Sequence, residues 1–194
     1  SPYRIGAELY GHNGIDSDLE IISLMLETLQ LAEIGDVQLA LGHVGIYRSL
    51  IAHAELDTEQ ERKLFTALQS KSEKDIDDLL VNLKTNNDLL EMLKALPKLC
   101  GDESVLDTAE QILSKAPGTV LDDIAQLRSL CQTLKSRYPK QSLYFDLSEL
   151  RGYEYHTGVV FAAYTNDFGS SIAKGGRYDD IGQHFGRARA ATGF

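Results

Sequence analysis

Two stretches in the last quarter of the chain carry the strongest evidence about the fold: Leu150–Gly158, with the sequence LRGYEYHTG, and Ala173–Asp179, with the sequence AKGGRYD. The first crowds charged and aromatic side chains directly before Val159–Tyr164, whose β-branched and aromatic residues predict a strand. The second contains a glycine pair, which allows the backbone to approach a ligand closely. A third stretch, Gly6–Gly11 (GAELYG), sets the carboxylate of Glu8 between glycines.

Each stretch has a plain structural explanation when it is taken alone. Glu8 is then a solvated strand residue, Arg151 belongs to a structural ion pair, and Gly175–Gly176 form an ordinary hairpin turn. Their occurrence together, in this order, favours a binding pocket.

Strand patterns frame the chain at both ends. Tyr3–Tyr10 alternates with the period of a strand, which would place Arg4 and Glu8 on one face. Further strands are predicted at residues 37–41 and 142–147, and helices follow the first two strands.

Residues 55–137 have a helical pattern instead, because their apolar side chains recur at helical spacing. We therefore predict an α+β fold, with a mainly antiparallel sheet and flanking helices, interrupted by an all-helical insertion. In this division residues 1–54 and 138–194 form the core, and residues 55–137 form the insertion.

Composition excludes several classes of protein. The 194 residues include 29 Asp and Glu against 19 Lys and Arg, and the resulting net charge of −10 is the wrong sign for binding a nucleic acid. No run of 18 apolar residues occurs, so we expect no membrane span. The chain starts without Met or a secretion signal and ends without a closing element, which favours a piece of a longer, cytoplasmic protein.

The sequence lacks the general motifs of catalysis and metal binding. It contains no phosphate-binding glycine loop, no G-x-S-x-G motif, and no histidines at metal-ligand spacing. Cys100 and Cys131 are expected to be free thiols. We therefore predict no metal and no cofactor.

The three stretches together resemble the catalytic domain of histidyl-tRNA synthetases, which has a class II aminoacyl-tRNA synthetase fold. The R-G-x-x-Y pattern from Arg151 and the GGRYD sequence from Gly175 match two histidine-specific motifs of that family. The resemblance implies that Glu8 accepts an N–H of the imidazole and that Tyr155 and Tyr178 line the histidine pocket. It also implies that Arg151 steadies negative charge on carboxylate and phosphate groups.

The chain departs from the synthetase pattern at three positions. Arg4, His156 and Ala162 stand where that family typically has glutamine, tyrosine and glutamate. Arg4 would place a cation where the ammonium group of the substrate is held, and like charges repel. We therefore expect an altered aminoacylation pocket.

The variant stretch Arg151–Phe161 and the tail Phe185–Phe194 (FGRARAATGF) are similar to the regulatory subunits of ATP phosphoribosyltransferase, a non-catalytic family paralogous to the synthetases. That resemblance implies no catalytic residue, assembly with the short catalytic subunit, activation of that subunit and a part in feedback inhibition by histidine. It also implies dimerisation of the full-length protein. The predicted pocket residues are Arg4, Glu8, Arg151, Tyr155, His156, Gly175, Gly176 and Tyr178.

Two other functions stay open at this point. The chain could be part of an active histidyl-tRNA synthetase, or a synthetase-like domain that serves another complex.

Overall fold

The computed structural model describes residues 3–83, 85–166, 169–180, 182 and 186–194. The strands in these ranges are β1 (Glu8–Tyr10), β2 (Gln38–His43), β3 (Cys100–Gly101), β4 (Ser142–Asp146), β5 (Val159–Tyr164), β6 (Ala173–Arg177) and β7 (Ala191–Gly193). The α-helices are α1 (Ile15–Leu31), α2 (Val44–Ala52), α3 (Thr58–Gln69), α4 (Glu73–Leu80), α5 (Asn87–Ala95), α6 (Ser104–Ile112) and α7 (Val120–Arg137). A 3-10 turn at Leu96–Lys98 follows α5.

The strands form one sheet in the order β1-β7-β6-β5-β2-β4-β3. Neighbouring strands run antiparallel, except that β2 and β4 are parallel. The predicted α+β class and mainly antiparallel sheet are confirmed.

Alternation along the strands gives the sheet two different faces. Leu39, Leu41 and Phe145 point to one face and are almost completely buried in an apolar core. Helix α1 packs on this sheet through Leu19, Ile22, Met25 and Leu26, and its spacing explains why a continuous apolar stripe faces the strands. The alternate residues of β2, β4 and β5 are left for the opposite face.

The segment 55–137 holds α3 to α7, and it also contributes strand β3, which pairs with β4 at the edge of the sheet. Helix α7 packs against α1, α2 and β2, and the apolar core is continuous between this segment and the sheet. The boundaries of the insertion at residues 55 and 137 stay a prediction.

The predicted first strand is too long. Strand β1 covers only Glu8–Tyr10, with one further pair of backbone hydrogen bonds between Ala7 and Phe194, both 3.0 Å long. Residues 3–6 are exposed and have no strand partner within the described ranges. Among the helices described, none is both long and apolar enough to cross a bilayer.

Candidate functional site

A cavity of about 430 Å³ lies on the sheet face opposite the apolar core, between β1, β2, β4, β5, β6 and the turns around residues 149–156. Its wall includes most of the predicted pocket residues: Glu8, Arg151, Tyr155, His156, Gly175, Gly176 and Tyr178. The topology explains this meeting, because β1 reaches β6 through β7 while β6 pairs with β5.

Arg4 is the exception among the predicted residues. It is exposed and is not part of the cavity wall. Strand β1 is described only from Glu8, so the placement of Arg4 on one face with Glu8 stays a prediction.

Glu8 and Tyr178 form a polar pair at one end of the cavity. The Tyr178 hydroxyl donates a hydrogen bond to the Glu8 carboxylate, and burial raises the pKa of Glu8. Gly193 lies directly behind Glu8, where a Cβ atom would collide with the carboxylate. This end of the cavity can offer a ligand both a carboxylate oxygen and a phenol.

His156 forms part of the wall and is only 8% exposed. Its ring lies between two glycines: a Cβ on Gly152 would come within 2.5 Å of Nδ1, and one on Gly176 within 2.8 Å of Nε2. Nδ1 lies 3.3 Å from the carbonyl oxygen of Arg151, and the ring of Tyr155 is 4.3 Å away between centroids. Burial lowers the pKa of His156, so a neutral imidazole faces the cavity at neutral pH.

Arg151 is paired within the cavity wall. Its Nε donates to Oε1 and Oε2 of Glu149 at 2.9 and 3.0 Å, and its Nη2 donates to Glu149 and to the hydroxyl of Tyr164. The hydrogen bonds to Glu149 raise the pKa of Arg151 further, although partial burial opposes this. The structural ion pair considered for Arg151 is thus present at the site itself.

Several wall residues were missed by sequence reasoning: Gln38, Tyr144, Asp146, Glu149, Tyr164 and Lys174. All but Glu149 lie on β2, β4, β5 or β6, each two residues from another residue of the wall. Because alternate residues of a strand share a face, strand alternation could have predicted these positions. Glu149 lies in a turn, where no such period applies.

The cavity has a mixed charge pattern. Its wall contains the acidic side chains of Glu8, Asp146 and Glu149 and the basic side chains of Arg151 and Lys174. Lys71, from the turn between α3 and α4, forms an ion pair with Asp146 in which Nζ lies 2.7 Å from Oδ2. Within the described residues no group of three or more His, Cys, Asp or Glu side chains could hold a metal ion. Both cysteines are free thiols. The polar side chains of the wall can form hydrogen bonds with a small polar ligand.

The fold and the position of the cavity define a class II synthetase-like domain. The family model described as Histidyl-tRNA synthetase matches residues 1–194. The chain therefore belongs to the histidyl-tRNA synthetase family.

Several relatives and solved structures are similar to the chain over nearly its whole length. The ATP phosphoribosyltransferase regulatory subunit of Pseudomonas syringae pv. tomato is 54% identical over all of this chain, and the chain spans 49% of that relative. A crystal structure of an ATP phosphoribosyltransferase regulatory subunit/histidyl-tRNA synthetase from Bacillus halodurans has a TM-score of 0.83 and 28% identity, over 97% of this chain and 49% of that one. A chain of the ATP phosphoribosyl transferase (HisG:HisZ) complex from Thermotoga maritima has a TM-score of 0.73 at 22% identity, over 97% of this chain and 63% of that one, and shows the shared fold.

Proposed function

We propose that the chain is the synthetase-like part of a regulatory subunit of ATP phosphoribosyltransferase, which activates a short catalytic subunit and contributes to feedback inhibition by histidine. The observation that carries the proposal is the 54% identity over the whole chain with a relative of that name. Because the chain spans about half the length of such relatives, the proposal concerns the full-length protein. The fold alone would not support it, since one fold hosts many functions.

In this proposal the chain binds a ligand and catalyses no reaction. Pairing of Arg151 with Glu149 supports this, because the guanidinium that the resemblance assigns to activation is already neutralised in the cavity wall. The partner is the catalytic subunit, and the similar Thermotoga maritima structure is that of a HisG:HisZ complex. We further propose self-association of the full-length protein as a dimer, and a cytoplasmic location for the complex.

Histidine is the proposed ligand of the cavity. A neutral imidazole donates one N–H and accepts at its other nitrogen. The Glu8 carboxylate is suited to accept that N–H, and the Tyr178 hydroxyl holds the carboxylate in place. Feedback inhibition then requires that histidine bind the assembled complex and the free subunit with different affinity, typically by about 1–3 kcal/mol.

The test combines the purified full-length protein with a short catalytic subunit. We expect faster ATP phosphoribosyltransferase turnover with the protein than without it, inhibition by histidine, and no exchange of pyrophosphate into ATP in the presence of histidine. Exchange at a rate that grows with the amount of the protein would instead identify a histidyl-tRNA synthetase. Absence of both stimulation and exchange would favour a synthetase-like domain of another complex.

A further inference from the structure

Glu149 lies two residues before Arg151, and its carboxylate receives several hydrogen bonds from that residue. Besides the side-chain contacts already described, the backbone N–H of Arg151 donates to Oε1 of Glu149 at 2.9 Å. A guanidinium binds a carboxylate or a phosphate through the same pair of parallel N–H groups. The carboxylate of Glu149 therefore occupies donors that the anionic group of a ligand would otherwise use.

We propose that Glu149 is a specificity-determining residue: its carboxylate takes the place of a ligand anion on Arg151, so that the cavity rejects phosphate-bearing ligands. The inference rests on the proposed function, in which the cavity binds histidine. The role of Glu149 explains why a synthetase-like cavity that binds an amino acid binds no nucleotide.

The backbone that leads into Glu149 is fixed by hydrogen bonds. The N–H of Leu147 donates to the carbonyl oxygen of Leu99 at 3.0 Å, and the N–H of Ser148 donates to Oδ1 of Asp146 at 3.0 Å. A Cβ on Gly42 of β2 would lie 3.1 Å from the Cβ of Glu149, so this turn packs directly on the sheet. An incoming anion can therefore replace the carboxylate only if the Glu149 side chain rotates and loses its hydrogen bonds with Arg151.

Arg151 is held from the other side as well. Its Nη2 donates to the hydroxyl of Tyr164 on β5, and its guanidinium carbon lies 5.7 Å from the centroid of that ring. The guanidinium therefore has fixed partners on β5 and on the turn that follows β4. Turning it towards a ligand would break contacts on both sides.

The charges of the cavity wall also give a phosphate-bearing ligand no advantage. Burial tends to raise the pKa of Glu149, but the hydrogen bonds and charge of Arg151, with the charge of Lys71, lower it below its usual value. Glu149 is consequently ionised at neutral pH. With Glu8 and Asp146 it gives the wall three carboxylates against the two cations Arg151 and Lys174. Lys71, which pairs with Asp146, balances the third, so the cavity has no excess of positive charge to attract a multiply charged anion.

The experiment measures binding of inorganic pyrophosphate to the full-length protein by calorimetry. Glu149→Gln keeps the shape of the side chain and removes its charge, whereas Glu149→Ala removes the acceptors completely. We expect both variants to bind pyrophosphate at least about tenfold more tightly than the natural protein, since a charge-assisted guanidinium pair becomes available. The gain should disappear in the double variant Glu149→Gln/Arg151→Gln.

Glu103→Gln is the matched control. Glu103 forms an ion pair of 2.6 Å with Lys135 and lies outside the cavity wall, so this variant also removes one negative charge and one pair. It should leave pyrophosphate affinity unchanged. The proposal is overturned if folded Glu149→Gln and Glu149→Ala bind pyrophosphate no better than the natural protein, or if the double variant keeps the gain.

A failure of the proposed function is detected separately. Stimulation of the catalytic subunit and binding of histidine are measured on the natural protein, where Glu149 is intact. If stimulation is absent and the Glu149 variants still gain affinity for pyrophosphate, the regulatory function is wrong and the role of Glu149 stands.

Discussion

Arg177 on β6 and Asp18 in the first turn of α1 form an ion pair that is almost completely shielded from water. Nε of Arg177 donates to Oδ2 of Asp18 at 3.0 Å, Nη2 lies 3.0 Å from Oδ1, and the two side chains are 7% and 1% exposed. The same Nη2 also donates to the hydroxyl of Ser17 at 2.6 Å and the carbonyl oxygen of Gly14 at 2.8 Å. The pair thus fixes the start of α1 against the strand that carries Gly175 and Gly176 to the cavity.

Removing the guanidinium should destabilise the fold strongly. Arg177→Met leaves the carboxylate of Asp18 buried without its partner, which typically costs about 3–5 kcal/mol. Urea unfolding at neutral pH measures the loss. Arg62→Met is the control, because the pair of Arg62 with Glu59 is exposed at 66% and 58%, and no measurable loss is expected. Equal losses in the two variants would contradict the structural role of Arg177.

A second buried pair joins α7 to the sheet and makes stability depend on pH. Nδ1 of His43 lies 3.6 Å from Oδ2 of Asp123, and it accepts a hydrogen bond from the N–H of Gly45 at 3.2 Å. Burial lowers the pKa of His43 to about 4 and raises the pKa of Asp123 to about 6. The hydroxyl of Thr119 donates to the same Asp123 oxygen at 3.1 Å.

The two groups act on stability with opposite signs. The raised pKa of Asp123 gives a contribution that is present below pH 3.8, its ordinary pKa, and is lost as the pH rises through about 6. The lowered pKa of His43 gives a contribution that is present above pH 6.5 and is lost as the pH falls through about 4. The two slopes oppose each other over the shared window.

Asp123→Asn should reveal the slope of the acidic partner. The free energy of unfolding of this variant, relative to that of the natural protein, should rise between pH 4 and pH 7 by up to about 3 kcal/mol, because only the natural protein must bury a carboxylate charge. Urea unfolding at intervals of pH measures the difference. The exposed residue Gln132 on the same helix supplies the control Gln132→Ala, which changes no charge, so its difference should not vary with pH. A flat difference for Asp123→Asn would show that Asp123 is not buried as a charge.

Much of the fold could be predicted from local sequence patterns. The elements that could not be predicted depend on contacts with distant parts of the chain. The apolar run Val159–Tyr164 forms β5 with the predicted bounds, since its residues favour a strand wherever they pack. Strands β3 and β7, of two and three residues, form only because distant strands offer them hydrogen-bond partners.

The residues of the site likewise fall into those that the sequence could predict and those that depend on tertiary contacts. Glu8, His156 and Tyr178 were found through motif resemblance, because each motif fixes the spacing of its own residues. Glu149 was missed, since its contact with Arg151 depends on the turn after β4 and on the packing of that turn against Gly42. A turn with tertiary support leaves no period in the sequence.

The glycine at position 176 leaves room for the ring of His156. A Cβ there would lie 2.8 Å from Cδ2 and Nε2 of His156 and 2.9 Å from the carbonyl oxygen of Val159. Gly176→Ala should therefore lower the free energy of unfolding by about 1–3 kcal/mol and displace the imidazole from the cavity wall. Thermal unfolding and titration with histidine measure the two effects. Gly169→Ala is the control, because a Cβ at that position meets no atom within 4 Å. Unchanged histidine affinity in folded Gly176→Ala would exclude His156 from the ligand site.

Arg48 on α2 holds the loop of residues 153–156, which forms part of the cavity wall. Its Nη2 donates to the carbonyl oxygens of Tyr153 and His156 at 2.6 and 2.7 Å, and its guanidinium lies 4.9 Å from the centroid of the Tyr153 ring. That ring also contacts Phe65 of α3, 5.6 Å away between centroids. The loop is therefore fixed between the cavity and the helical segment, and Arg48 satisfies the carbonyl groups of Tyr153 and His156.

Arg48→Met should loosen this loop without unfolding the protein. The N–H groups of Tyr155 and His156, which donate to the carbonyl oxygen of Gly152, should exchange with solvent at least about tenfold faster, because each lost charge-assisted hydrogen bond is worth about 1.5–3 kcal/mol. The pKa of His156 should rise as well, since the positive charge of Arg48 adds to burial in lowering it. Hydrogen exchange and histidine NMR titrations measure the two changes. Arg128→Met, which breaks a pair with Asp107 on the distant α6, should alter neither. If the exchange of both amides stays unchanged in Arg48→Met, the loop is held by its ring contacts alone, and Arg48 is not required to fix the cavity wall.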